Sequence, residues 1–227
     1  MSERPDRPED GAPSSGALPE ILPIFPLTGV LLLPRARLPL NIFEPRYLAM
    51  TRDALAGERL IGMVQPSDPA AGGMNPPVYP VGCAGRMTAF SETDDGRYLI
   101  TLTGLSRFRI REELPLLSGY RRVTADWEPF ARDRDQSAAA GFDRSGLIAG
   151  LRHYFEQRNV SVDWQAIEKA PSEYLVNSIA MACPFAPNEK QALLEAADLD
   201  QRAALLTALV EMAAALPTAE DSGGTRH

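Results

Sequence analysis

The 227-residue sequence has few of the side chains on which catalysis and metal binding most often depend. It contains two cysteines, Cys83 and Cys183, a hundred positions apart, and two histidines, His153 and His227. So few and so distant cysteines do not form a disulfide framework or a zinc site. Two histidines leave little scope for histidine-based catalysis. We therefore expect no metal site, and a protein kept in the reducing cytoplasm.

Long apolar runs are also missing. No stretch of 18 or more apolar residues occurs, so we expect no membrane-spanning helix. The first residues, Met1 to Pro5, are polar and lead into no apolar stretch, which does not fit a secretory signal. Both observations favour a cytoplasmic protein that does not associate with a membrane.

The sequence contains only two lysines, Lys169 and Lys190, but 21 arginines. Neither follows a glycine-rich phosphate loop, so we expect no ATP hydrolysis. No G-x-S-x-G motif is present, and Ser172, three residues after Lys169, suits a helix start better than a Ser–Lys dyad. Cys83 and His153 would make a nucleophilic pair, but a buried thiol and a helix histidine are the favoured interpretation. We therefore expect that the protein has no catalytic residue, binds no cofactor and is not an enzyme.

The net charge of −7 is unevenly distributed. Residues 21–130 hold twelve arginines against eleven acids, and residues 131–216 hold eight bases against twelve acids. No segment is strongly basic, which disfavours nucleic acid as a partner. One local exception is the alternating set Arg107, Arg109 and Arg111, which predicts a positive stripe on one face of a strand, able to contact an anion or RNA.

The pattern along the chain divides it into four segments. Residues 1–19 and 217–227 are rich in small, polar and charged residues and are predicted to be disordered tails. Residues 20–130 have the short apolar runs of a β-rich module, and residues 131–216 have the helical spacing of a bundle. The sequence therefore predicts an α+β protein.

Within the β-rich segment, the proline-broken run 21–27 is predicted to be an edge strand. Pro45 and Gly57 suit the beginning and the end of a helix. Asp94-Asp95-Gly96 is a hairpin turn signal, and Gly104 marks a break or bulge. The further predicted strands are 30–33, 38–43, 60–64, 81–90, 98–103, 107–112 and 120–127, with residues 66–80 as a loop.

The helical segment has a repeating apolar pattern with capping residues between its parts. Asp163 is predicted to cap a short helix that ends at Lys169, and Asn188 is predicted to cap a later one. A helix opens at Pro171-Ser172-Glu173, and the last helix runs from Leu199 to Leu216 with one apolar stripe.

One motif, Asn41 to Tyr47, combines a charged pair with flanking aromatics at a strand-to-helix junction. The favoured interpretation is a structural corner, in which Phe43 and Tyr47 pack while Glu44 and Arg46 satisfy local polar groups. The alternative makes this motif the edge of a binding groove.

Several motifs occur in a characteristic order along residues 20–216: Leu22–Leu27, Val30–Pro34, Leu38–Tyr47, Val81–Gly85, Asp95–Tyr98, Thr103–Ile110, Glu189–Glu195 and Asp198–Leu209. This ordered set resembles the N-terminal, substrate-binding domain of Lon protease, in a stand-alone bacterial form. Lon itself continues into ATPase and Ser–Lys peptidase modules, which the 227 residues do not contain.

The resemblance implies a PUA-like β-barrel followed by a helical bundle, and a non-catalytic module that binds unfolded proteins or peptides. An exposed apolar groove or strand edge would accept extended segments, with the first strand and the 66–80 loop as the candidate surface. A PUA-like module for RNA or a small ligand and an adaptor for full-length Lon are the alternatives. The candidate peptide-binding residues are Phe25, Pro26, Leu33, Phe43, Glu44, Arg46 and Tyr47.

Overall fold

A computed structural model describes residues 18–68, 71, 73, 75–135 and 141–215. Apart from residues 18 and 19, the predicted tails 1–19 and 217–227 lie outside this range. The strands are β1 (Ile21–Pro26), β2 (Arg37–Ile42), β3 (Leu60–Val64), β4 (Val81–Glu92), β5 (Tyr98–Leu117) and β6 (Tyr120–Asp126). The α-helices are α1 (Pro45–Ala56), α2 (Arg144–Gln157), α3 (Trp164–Lys169), α4 (Ser172–Ala182), α5 (Pro187–Glu195) and α6 (Leu199–Ala215), with a 3₁₀ helix at Glu128–Arg134.

The six strands form one mixed sheet in the order β2-β5-β4-β3-β1-β6. Only β1 and β3 are parallel among these pairs. The 20-residue strand β5 pairs with β4 and also with β6, so five strands close into a ring. Strand β2 lies outside this ring and, within the part of the chain that the structure describes, pairs only with the first part of β5. The predicted α+β architecture, a barrel followed by helices, is confirmed.

Gly104 allows β5 to continue where the sequence predicted a break. A register shift leaves Leu105 unpaired between the partners of Ala84 and Gly85, which is a β-bulge. A Cβ atom on Gly104 would lie 2.0 Å from the carbonyl oxygen of Leu33. The bulge was therefore predicted correctly, but the two strands expected on either side of it are one strand.

Two predictions for the first forty residues were wrong. Strand β1 is not at an edge, because it pairs with β3 on one side and β6 on the other. The run Val30–Leu33 is not a strand. Leu31, Leu32 and Leu33 are buried all the same, because their apolar side chains fill the core without β pairing.

Local capping signals predicted helix ends well. Helix α1 begins with Pro45 and has Gly57 at its C-terminal cap. Asp163 caps α3 by accepting a hydrogen bond from the backbone N–H of Ala166 at 3.0 Å. The cap expected at Asn188 was wrong, since α5 begins one residue earlier, at Pro187.

One hydrophobic cluster joins the strands to the helices. It includes Phe25 and Leu33 from the β-rich part and Leu147, Val176 and Leu206 from the helices. A second, smaller cluster fills the barrel around Phe108. The boundary at residue 130 stays a prediction, and the two parts share a core across it. No helix of the described residues is long and apolar enough to cross a membrane.

Candidate functional site

The seven residues selected for peptide binding do not lie on one surface. Phe25, Leu33 and Tyr47 are buried, and the rings of Phe25 and Tyr47 are 4.2 Å apart in the core. Pro26 is half-buried at the end of β1. Phe43, by contrast, is 61% exposed. Burial by the core removes the first three from any ligand surface.

The charged pair of the same motif forms an internal contact. Glu44 forms an ion pair with Arg46 at 2.9 Å, and the Arg46 guanidinium lies 4.5 Å from the centre of the Tyr47 ring. These contacts match the structural-corner interpretation for Glu44, Arg46 and Tyr47. Phe43 does not pack as that interpretation expected, and its role in ligand contact stays a prediction.

The arginine stripe is divided between the interior and the surface. Arg107 is buried, and its guanidinium makes an ion pair with Asp133 at 2.8 Å. Arg109 and Arg111 are exposed, and Arg111 pairs with Asp126 at 3.1 Å. A second bulge next to Ile110 interrupts the alternation. The expected continuous positive face is therefore not formed.

A groove of about 610 Å³ lies between the edge strand β2 and helix α4. We refer to it as the α4 groove. One wall is the loop before β2 together with the first half of β2, and the other is one face of α4. The first wall is made of Gly29, Val30, Leu31, Arg35, Ala36, Arg37, Leu38 and Pro39, and the second of Pro171, Glu173, Tyr174, Asn177, Ser178, Met181 and Ala182.

Helix α4 presents different side chains on its two faces. Tyr174, Ser178 and Met181 recur at three- and four-residue spacing and line the groove. Val176 and Ala180, on the opposite face, are buried in the core. The core contact therefore fixes the helix and leaves Tyr174, 66% exposed, as a large aromatic surface in the groove.

Two polar side chains, Lys190 and Asn177, hold the two walls together. The Lys190 ammonium donates to the carbonyl oxygen of Gly29 at 2.8 Å and to that of Met181 at 3.1 Å, so it contacts both walls. Asn177 donates to the carbonyl oxygen of Pro34 at 3.1 Å. Because these contacts are buried or partly buried, water competes poorly for them and the groove keeps its width.

An ion pair between Arg35 and Glu173 joins the walls at the surface. Arg35 Nε donates to both carboxylate oxygens at 2.9 Å. The hydrogen bond that Arg35 donates to Glu173 raises the pKa of Arg35, so this guanidinium stays charged. Both groups lie in the lining of the groove, where they neutralise one another.

Burial perturbs the cations behind the groove. Desolvation lowers the pKa of Lys190 and lowers that of Arg202 to about 10. Arg202 donates to Leu193 O at 2.9 Å and to the Asn177 side-chain oxygen at 3.3 Å. It therefore orients the amide that bonds the carbonyl of Pro34. Sequence reasoning considered Lys190 only for catalysis and missed this positioning role.

Nucleophilic and metal chemistry have little support in the described residues. Cys83 and Cys183 are buried free thiols, and burial raises the pKa of each, so they stay protonated and unreactive. No cluster of three or more histidine, cysteine or acidic side chains within the described range could hold a metal ion.

Comparison with known proteins gives a family match. A model described as the ATP-dependent protease La (LON) substrate-binding domain matches residues 21–211. Lon protease 2 of Myxococcus xanthus is 26% identical over 201 residues, covering 85% of this chain and 24% of that protein. Lon protease 2 of Sorangium cellulosum is 27% identical over 213 residues, covering 88% of this chain and 26% of that protein. The chain thus spans about a quarter of the length of these relatives.

Two solved structures share the fold. A Lon N-terminal domain protein from Xanthomonas campestris superimposes with a TM-score of 0.59 at 21% identity, covering 83% of this chain and 97% of that one. The N-terminal domain of Mycobacterium avium complex Lon protease gives a TM-score of 0.54 at 14% identity, covering 84% and 97%.

Proposed function

Because the chain belongs to the family of ATP-dependent protease La (LON) substrate-binding domains, we propose that it binds extended apolar segments of unfolded proteins in the α4 groove and does no chemistry on them. The observation that carries this proposal is an apolar groove beside the outer edge of β2, which pairs with no other strand among the described residues. Apolar side chains of a ligand would displace water there, and the edge of β2 offers backbone groups to an extended chain.

We further propose that this binding serves protein quality control in the cytoplasm, with the protein acting as an adaptor for full-length Lon. The support is the family and the lack of a recognisable catalytic motif in the sequence. The RNA alternative has lost its strongest support, since Arg107 is buried against Asp133 and is not exposed to a ligand.

The test is a binding assay with a fluorescently labelled, permanently unfolded model protein. Tyr174→Ala removes the exposed aromatic of the groove. Met212→Ala is the matched control, because Met212 is 64% exposed on α6 and lies outside the groove lining. Truncation of an aromatic contact in an interface commonly costs more than about 1 kcal/mol, so we expect the dissociation constant to rise about fivefold for Tyr174→Ala and to stay unchanged for Met212→Ala.

Native, folded model protein serves as the competitor in the same assay. If the native protein competes as well as its unfolded form does, the groove does not recognise unfolded segments. An equal loss of affinity in Tyr174→Ala and Met212→Ala would lead to the same conclusion.

A further inference from the structure

The positive and negative side chains that line the α4 groove do not cancel. Arg35, Arg37 and Glu173 are its charged lining residues, and Glu173 neutralises Arg35. Arg37 is exposed and, within the part of the chain that the structure describes, has neither an ion pair nor a hydrogen bond of its side chain. The groove therefore carries one uncompensated positive charge, on a protein whose net charge is −7.

The position of this charge along β2 sets where a ligand would meet it. Arg37 and Pro39 both line the groove and are two residues apart on one strand. An extended chain advances about 3.3 Å per residue. A ligand lying along β2 therefore has its apolar contact at Pro39 about two residues from its contact with the Arg37 guanidinium.

An arginine favours a carboxylate in this setting. Its planar guanidinium donates two parallel hydrogen bonds to a carboxylate, and it repels a lysine or arginine of the ligand. A single cation beside an apolar surface does not suit nucleic acid, whose binding depends on several phosphate contacts.

We propose that the α4 groove selects segments of unfolded proteins in which one acidic side chain lies about two residues from an apolar or aromatic side chain, with the acid placed on Arg37. This selection rests on the proposed function, because it names the class of segment that the same groove binds. The occupant is an internal, extended segment, and its acid is a side chain rather than a chain terminus.

Three labelled decapeptides test the selection. They share one apolar core and have both ends blocked, and they differ only in carrying Asp, Asn or Lys two residues from the core. An exposed ion pair contributes about 0.2–1 kcal/mol, so we expect the Asp peptide to bind about 1.4- to fivefold more tightly than the Asn peptide and the Lys peptide to bind more weakly than both. The preference should shrink at ~0.5 M salt, where the Debye length is only a few ångströms.

Substitutions of Arg37 assign the preference to this residue. Arg37→Gln is expected to remove the difference between the Asp and Asn peptides, and Arg37→Glu to make the Lys peptide the preferred ligand. Arg109→Gln is the matched control, since Arg109 is an exposed arginine on β5 outside the groove lining, and it should keep the Asp preference.

The outcomes separate this inference from the proposed function. If Tyr174→Ala weakens all three peptides while Arg37→Gln leaves the Asp preference intact, the groove binds peptides but the charge selection is wrong. If no peptide binds, the proposed function itself fails. If a peptide with a free C-terminal carboxylate binds and the blocked Asp peptide does not, the occupant is a chain end and the inference is overturned.

Discussion

The buried ion pair between Arg107 and Asp133 gives the sharpest test of how the barrel is joined to the helices. Their side chains are only 5% and 9% exposed. Asp133 accepts three hydrogen bonds from Arg107, two from the guanidinium and one from the backbone N–H. The same guanidinium donates to the carbonyl oxygen of Leu194 at 3.0 Å. One side chain of β5 therefore links the 3₁₀ helix to the end of α5.

Asp133→Asn removes the negative charge and leaves a buried guanidinium without its counter-ion. Breaking a buried pair in this way costs about 3–5 kcal/mol. The asparagine oxygen and the carbonyl contacts retain part of the hydrogen bonding of Arg107, so we expect the lower end, about 3 kcal/mol of unfolding free energy. That is a large share of the about 5–15 kcal/mol typical of a domain.

Chemical denaturation followed by circular dichroism measures this loss. Glu168→Gln is the control, because Glu168 pairs with Arg152 at 2.6 Å but the two side chains are 52% and 43% exposed. An exposed pair contributes less than about 1 kcal/mol. Equal losses for Asp133→Asn and Glu168→Gln would refute the argument that burial makes this pair important.

Three further predictions concern single positions. Gly104→Ala should lower the midpoint of thermal unfolding sharply or prevent folding, since its Cβ atom would lie 2.0 Å from a backbone oxygen. Cys83 and Cys183 should not react with a thiol reagent until the protein is denatured, because burial raises both pKa values; fast reaction of the native protein would contradict this. A hydrogen bond from Thr93 lowers the pKa of Asp95, so Thr93→Val should raise that pKa toward 3.8 in an NMR titration.

The sequence was most informative where a structure depends on neighbouring residues. Pro45 and Gly57 predicted both ends of α1, because a first-turn proline and a terminal glycine act on the backbone next to them. The turn at Asp94–Gly96 was equally local, and Gly96 adopts the positive φ of 80° that this turn needs.

The candidate site was not predictable in the same way. The α4 groove brings Arg35 against Glu173, 138 positions later in the chain. The spacing of residue types along the sequence does not indicate such a contact, because the contact forms only when α4 packs on the barrel. Arg107 is a second example. The alternation of arginines predicted that Arg107 shares an exposed face with Arg109 and Arg111, but its contact with Asp133, 26 residues away, keeps it buried.

The groove itself follows from how the fold satisfies a buried loop. Leu31, Leu32 and Leu33 are buried in the core, yet neither this segment nor the flanking residues Gly29 and Pro34 form a strand, so strand pairing does not satisfy the carbonyl groups of Gly29 and Pro34. Backbone oxygens removed from water need other donors. The side chains of Lys190 and Asn177 provide them, at Gly29 and Pro34.

These two donors belong to α5 and α4. The hydrogen bonds that satisfy the loop therefore also fix its distance from α4, because Lys190 contacts the α4 carbonyl of Met181 as well. Desolvation of Lys190, which lowers its pKa, opposes this arrangement, and two carbonyl contacts offset it. The width of the α4 groove is thus set by the buried and partly buried contacts of Lys190 and Asn177, while Tyr174 and Arg37 stay exposed, where we propose that they contact the ligand.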